Sequence, residues 1–241
     1  MAEISERNAN RRLGPNAALA KMMAGFLAVS VLIAALLFGA AGRFDWILGW
    51  IFLLVWSIPK FIFTFLLRWS DPDLLVERVT RHANTQRYDR LILPIYFVMA
   101  FGTILVGALD GGRFQWSSEI ALELIILGYV IYLSGNLLAA WAVNSNPFFS
   151  SESRLQTDRN QQVTRRGPYQ FVRHPGYLAT ILLWPVVGPT LGSWWAVIPG
   201  LLTAVLMLIR TVYEDRMLQA QLPGYAEYAG HVRYRLIPGI W

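Results

Sequence analysis

Cysteine is absent from the 241 residues. That removes disulfides, thiolate metal sites and cysteine nucleophiles together. Histidine is scarce, with only His82, His174 and His231. A histidine metal centre would need all three to converge, so no metal site is expected. Charge is the next shortage: 15% of residues are charged and 55% hydrophobic, where a soluble domain usually carries about 25% and 45–50%. The deficit and the excess together point to lipid as the solvent. No internal repeat, phosphate-binding P-loop or glycine-rich dinucleotide fingerprint is found. Asp110-Gly111-Gly112 reads as a turn between apolar runs.

Long apolar runs are what the chain has in quantity. About 20 apolar residues in helical form cross a bilayer core, and six segments reach or approach that length: 18–41, 46–67, 91–109, 120–143, 177–188 and 195–212. The expected fold is therefore all-α, a polytopic membrane protein of about six transmembrane helices forming a single integral membrane domain over residues 1–241. Residues 1–143 would supply N-terminal transmembrane helices, and 144–241 a core with a helical hairpin and a cytoplasmic tail. The fifth run is short and carries Pro185 and Pro189; it is expected to turn tightly into the sixth at 188–192.

The net charge of +6 raises nucleic acid as a partner, but basic residues that flank apolar spans face anionic headgroups instead. No stacking-plus-basic groove pattern accompanies them, so nucleic acid is not expected. With six spans, every lysine and arginine except Arg43, Arg113 and the intramembrane Lys60 falls on the side of both termini. This includes Arg7, Arg11, Arg12 and Arg81. The asymmetry puts both ends in the cytoplasm and, in a bacterium, the chain in the inner membrane. Trp46, Trp69, Trp116, Trp194 and Trp195 sit at span ends, as an aromatic belt requires. Lys60 beside Pro59 is expected to snorkel toward a membrane surface. Glu119 and Glu123 suit a helix N-terminus, and Gly128 and Gly135 suit close helix packing.

Chemistry concentrates in residues 144–241. One motif is Arg166-Gly167-Pro168-Tyr169 followed by Arg173-His174-Pro175-Gly176-Tyr177. The other is Arg210, Tyr213, Glu214, Asp215 and Arg216, followed by Pro223-Gly224-Tyr225 and Tyr228. A hairpin of the last two runs brings His174 and Tyr177 beside Glu214 and Asp215 from topology alone. Glu214 and Asp215 can hold an ammonium or ribose hydroxyls. Arg173 and His174 can hold a carboxylate, arginine by two parallel bonds. Tyr169, Tyr177, Tyr225 and Tyr228 offer aromatic faces to a planar base, and such faces and carboxylates also attract a sulfonium. Together these describe a site for a nucleoside-linked amino acid. Plain alternatives stand beside each assignment: headgroup contacts for the arginines, a helix start for His174-Pro175, helical ion pairs of Glu214 and Asp215 with Arg210 or Arg216, and an interfacial stripe for Tyr225 and Tyr228. The segment from Asn144 to Phe149 can face an acceptor or simply end a helix.

The run Gly167-Pro168-Tyr169-x3-Arg173-His174-Pro175-x-Tyr177, with the later Glu214-Asp215, resembles the RHPxY…EE signature of isoprenylcysteine carboxyl methyltransferases and their phospholipid-methylating relatives. The Pro223-Gly224-Tyr225-x2-Tyr228 segment and the ending Arg235-Leu236-Ile237-Pro238-Gly239-Ile240-Trp241 are similar to the tails of bacterial members. The resemblance covers roughly the last hundred residues; upstream only the pattern of spans agrees. It implies S-adenosylmethionine as cofactor, with His174, Tyr177 and Glu214 as principal contacts. Gly167, Tyr169 and Arg173 would help, Asp215 stands at the second acidic position, and Tyr225 and Tyr228 close the site. It also implies a lipid or lipophilic acceptor (carboxylate, thiol or amine), oriented if anionic by Arg210, Arg233 or Arg235. No obligate protein partner is implied. Two other readings remain open. One is a membrane reductase using NADPH on an isoprenoid or steroid, for which the basic loop 156–166 could hold extra phosphates. The other is a non-enzymatic lipid-binding protein.

Overall fold

The computed structural model describes residues 13–80 and 85–241. Arg7, Arg11, Arg12, Arg81 and His82 lie outside the described residues. Among those described there are helices and turns but no strand. Eight α-helices follow one another: α1 Pro15–Ala41, α2 Ile47–Ser70, α3 Pro72–Val79, α4 Arg87–Gly107, α5 Leu122–Ser145, α6 Pro175–Thr190, α7 Val197–Gln221 and α8 Tyr225–His231. The starts follow local chemistry. Pro15, Pro72 and Pro175 open α1, α3 and α6, where a missing N–H costs nothing. Asp71 caps α3 by accepting the amide of Leu74 at 2.9 Å, and Gly42 ends α1 in the left-handed conformation, as C-terminal glycines do.

Five helical segments are long and apolar enough to cross a membrane: Pro15–Ala41, Ile47–Ser70, Arg87–Phe114, Leu122–Ser145 and Val197–Gln221. The protein is a polytopic all-α membrane protein. Its outer surface bears this out chemically, since Leu27, Val31, Leu54, Ile62, Leu127 and Leu137 are among many exposed apolar side chains, and water would penalise so continuous a coat. The fifth expected span is α6, with 16 residues. At 1.5 Å per residue it measures about 24 Å, short of the ~30 Å hydrocarbon core. The last helix runs on past 212 to Gln221, so Glu214 and Asp215 lie on a helix.

Asp110-Gly111-Gly112 is not a turn but part of a π-helical continuation of α4, Ala108–Phe114. Asp110 is fully buried there and accepts hydrogen bonds from the Ser117 amide (2.8 Å), the Ser117 hydroxyl and the Ser193 hydroxyl (2.6 Å). The knot pins the α4 end to the α6–α7 connection. Glycine at 111 is required by proximity: a Cβ would sit 2.0 Å from the Leu191 carbonyl oxygen. We expect Gly111→Ala to push these two segments apart and lower the thermal midpoint in detergent by several degrees; an unchanged midpoint would contradict this packing.

Lys60 does not snorkel. Its Nζ turns back one helical turn, donates to the Trp56 carbonyl at 2.9 Å and lies 4.3 Å from the Trp56 ring centroid. The reason is geometric, since Cα–Cβ bonds tilt toward the helix N-terminus and the nearer end of α2 is the C-terminal one. Gly128 and Gly135 do what was expected of them and let α5 approach α6 closely, against Thr190 and Leu183. α6 packs most extensively against α5 on one side and α7 on the other, and α4 packs against α7. These contacts gather the ends of α4, α6 and α7 around one polar region.

Candidate active site

The polar region is a cavity of about 380 Å³ at one end of the bundle, within the usual range for small-molecule sites. Its wall is built from the ends of α4, α6 and α7, from the chain after α5, and from α3 and α8.

The entry to α6 sets the geometry. His174 is the N-cap of α6, and the Arg173 and His174 amides donate to the Tyr234 and Arg235 carbonyls at 3.0 and 2.9 Å. The C-terminal tail is thereby laid alongside the Arg-His-Pro motif. Beneath it, Asp215 is fully buried and acts as the hub. Arg173 grips it by two parallel bonds, Nε to Oδ1 at 2.8 Å and Nη2 to Oδ2 at 3.0 Å. His174 Nε2 stands 3.1 Å from Oδ1, the Tyr225 hydroxyl donates to Oδ1 at 3.1 Å, and Arg235 and Gln219 donate to Oδ2 at 2.8 Å. The third guanidinium nitrogen of Arg173, Nη1, is also occupied, donating to the Val232 and Arg233 carbonyls.

One residue earlier the chemistry differs. Glu214 lines the cavity and its Oε2 accepts from the Tyr177 hydroxyl at 2.5 Å and from the Ser153 hydroxyl. Adjacent helical positions lie about 100° apart around the axis, so Asp215 turns into protein while Glu214 turns into the cavity. Arg210 is held by Asp89 of α4 through Nε to Oδ1 at 2.8 Å and Nη2 to Oδ2 at 2.7 Å. It also lies 5.1 Å from the Tyr177 ring. Neither the helical ion pairs nor the interfacial stripe is found: Glu214 and Asp215 bond to other elements, and Tyr225 and Tyr228 are buried.

The tyrosines keep their protons. Burial pushes the Tyr169 and Tyr228 phenols up, and burial together with the neighbouring Asp215 carboxylate pushes Tyr225 up further. They are therefore hydrogen-bond donors with intact aromatic faces; Tyr228 donates to the Tyr169 carbonyl at 2.6 Å.

The sequence-chosen residues divide accordingly. Tyr169, Arg173, His174, Tyr177, Arg210, Glu214, Tyr225 and Tyr228 line the cavity, whereas Gly167, Asp215, Arg233 and Arg235 do not. Gly167 has φ +61° and a Cβ there would sit 2.0 Å from Ser145 Oγ, so glycine lets its turn press against the end of α5. Arg235 is spent on Asp215 and stacks on Trp241, and the Arg233 side chain is exposed. The segment after α5 serves both purposes weighed for it. Asn146 closes the turn by accepting the Phe148 amide at 2.9 Å, and Asn146, Phe148 and Phe149 line the cavity.

Sequence reading passed over Asp89, Ser153 and Arg78. Asp89 looked like an ordinary first-turn acid, Ser153 lies in a serine-rich loop, and Arg78 was counted only as a cytoplasmic charge. An isolated buried acid and an arginine without a neighbouring carboxylate carry no local signal.

The loop 156–166 is already committed. Arg159 donates to Gln156, Arg165 to Glu227 and Arg166 to the Ser145 carbonyl, while Arg154 just before it pairs with Glu77 and Asp158. These partners leave no cluster of spare guanidinium groups for additional phosphates.

The protein thus encloses a tyrosine-rich cavity at one end of a membrane helix bundle, lined by the carboxylates of Glu152 and Glu214 and by Arg154, Arg173 and Arg210, each paired with an acid. Residues 124–223 match the family model for phospholipid methyltransferase. No curated protein matches the chain. The matched segment contains the whole Arg-His-Pro motif and Glu214-Asp215; Arg78, Asp89, Tyr225 and Tyr228 lie outside it.

Proposed function

We propose that the protein transfers a methyl group from S-adenosylmethionine to a lipophilic acceptor drawn from the membrane. The observation that carries this reading is Glu214, a carboxylate turned into a cavity of about 380 Å³ whose walls include Tyr169, Tyr177, Tyr225 and Tyr228. The donor set fits the group: a carboxylate for hydroxyls or positive charge, and aromatic faces for a purine and a sulfonium. When bound, S-adenosylmethionine supplies an electrophilic methyl group on a positively charged sulfur.

The chain's residues then bind, align and exclude water. Tyr177 and Ser153 fix the Glu214 carboxylate in one orientation, so the site is organised before a ligand arrives. Met207, Met217, Leu218 and Leu222 supply the apolar part of the wall and keep water from the reacting atoms. Arg210, tied to Asp89, lends fixed positive charge beside Tyr177. Asp215 acts at one remove, as the anchor of Arg173, His174 and Arg235. An acceptor reaches the cavity beside α4, because Phe97 both lines the cavity and is exposed on the outer face. A carboxylate or thiolate acceptor needs no base; no cavity residue is assigned that role. Alignment of acceptor and methyl group supplies most of the rate.

Calorimetric titration of S-adenosylhomocysteine into detergent-purified protein tests the reading. Saturable binding is expected in the wild type and a loss of about tenfold or more in Glu214→Gln. A well-folded wild type that ignores S-adenosylhomocysteine and binds NADPH would overturn it in favour of the reductase.

A further inference from the structure

The cavity's positive charges are accounted for in pairs, with one exception. Arg173 is neutralised by Asp215, Arg210 by Asp89, and Arg154 by Glu77 and Asp158. Arg78 also lines the cavity. The residue as a whole is half-buried, but its Nε and Nη1 are shut off from solvent and have no hydrogen-bond partner among the described residues. A guanidinium presents five donors in a rigid fork, and burying them unmade is costly. Burial pulls Arg78 down to about 10, so at neutral pH the group remains charged.

Its placement is fixed. Arg78 sits in the last turn of the amphipathic α3, whose Leu74 and Leu75 are buried. Its guanidinium lies 5.4 Å from the Phe149 ring centroid. Phe149 in turn closes on Gly176, the second residue of α6, so tightly that a Cβ there would meet the ring at 2.8 Å. The guanidinium is thus held beside the same helix start that presents His174 and Tyr177 to the cavity.

We infer that Arg78 is the charge anchor for a carboxylate of the bound ligand. This moves the carboxylate-binding role away from Arg173, whose guanidinium is saturated by Asp215 and two carbonyls. An incoming carboxylate would neutralise the only lining arginine without an acid partner among the described residues. Two sources supply such a group: the amino-acid end of the cofactor, which rests on the methyl-transfer reading, or a carboxylate on the lipophilic acceptor.

Two matched pairs of probes separate them, each titrated into wild type, Arg78→Gln and Arg78→Lys. The first pair is S-adenosylhomocysteine and 5′-methylthioadenosine, which lacks the amino-acid end. The second is decanoate and decanol. In Arg78→Gln, one acid is expected to weaken about tenfold or more while its neutral partner is unchanged, with Arg78→Lys recovering part of the loss. Loss in the first pair assigns the cofactor; loss in the second assigns the acceptor. The thermal midpoint of ligand-free Arg78→Gln is expected to be unchanged or higher, because an unpaired buried charge has been removed. A lower midpoint with both acid preferences intact would make Arg78 a structural residue and overturn the inference. If wild type binds no S-adenosylhomocysteine, the methyl-transfer reading fails and the decanoate pair decides Arg78 alone.

Discussion

Asp215→Asn is expected to cost about 3–5 kcal/mol of stability, the usual consequence of removing one partner from a buried ionic cluster. Asp215 is fully buried between Arg173, His174, Arg235 and Tyr225, so the neutral amide leaves two guanidinium groups facing each other without a counter-charge. Domain stabilities are typically 5–15 kcal/mol, which makes this a large fraction of the total. The C-terminal tail should loosen first, because Arg173 is also the donor to the Val232 and Arg233 carbonyls. Thermal unfolding in detergent, with protease cleavage near residue 232 as a second readout, checks both points. A direct ligand contact would behave differently: stability would hold and only cofactor affinity would fall. Full stability of Asp215→Asn would therefore remove the hub role assigned here.

The second large effect concerns Arg210 and Asp89. Asp89→Asn alone should cost a similar 3–5 kcal/mol, since Arg210 stays buried and loses the acid that grips it twice. Asp89→Leu combined with Arg210→Met should recover most of that loss, because both charges leave together. Recovery is expected to be incomplete. Asp89 also accepts the Ser153 amide, and an amide left without a partner costs about 1–3 kcal/mol. A double variant no more stable than the single one would mean that Arg210 and Asp89 are not acting as a pair. Binding of S-adenosylhomocysteine should be weaker in the double variant even where stability returns, because the positive charge beside Tyr177 is gone.

Much of this arrangement was legible in the sequence, for identifiable reasons. Long apolar runs announced five of the six expected spans, the run 177–188 being too short, and a hairpin of the last two runs required His174 and Tyr177 to meet Glu214 and Asp215. The structure makes that meeting specific, with Tyr177 bonded to Glu214 and His174 to Asp215. What could not be read is how adjacent acids share the work. Helical rotation turns Glu214 toward the cavity and Asp215 into the protein. Arg233 and Arg235 were chosen as cations near the motif that could orient an anionic acceptor, and charge does not reveal that Arg235 is consumed by Asp215. Arg78 and Asp89 were missed because their significance depends on what stands beside them in space. The π-helical continuation after α4 was likewise hidden, as Asp110-Gly111-Gly112 has the composition of a turn and is overruled by the serines that satisfy Asp110.

The Asp89–Arg210 pair also imposes an order of events on the newborn chain. Asp89 precedes Arg210 by 121 residues, which at about 5–20 residues per second is roughly 6–24 s of translation. Throughout that interval the carboxylate lacks the arginine that grips it in the folded protein. Its position in the first turn of α4 makes the delay tolerable, because a helix end can wait at the water boundary where a helix centre could not. The bidentate grip on α4 is therefore made only once α7 has been synthesised. The cavity is among the last parts of the protein to come into existence.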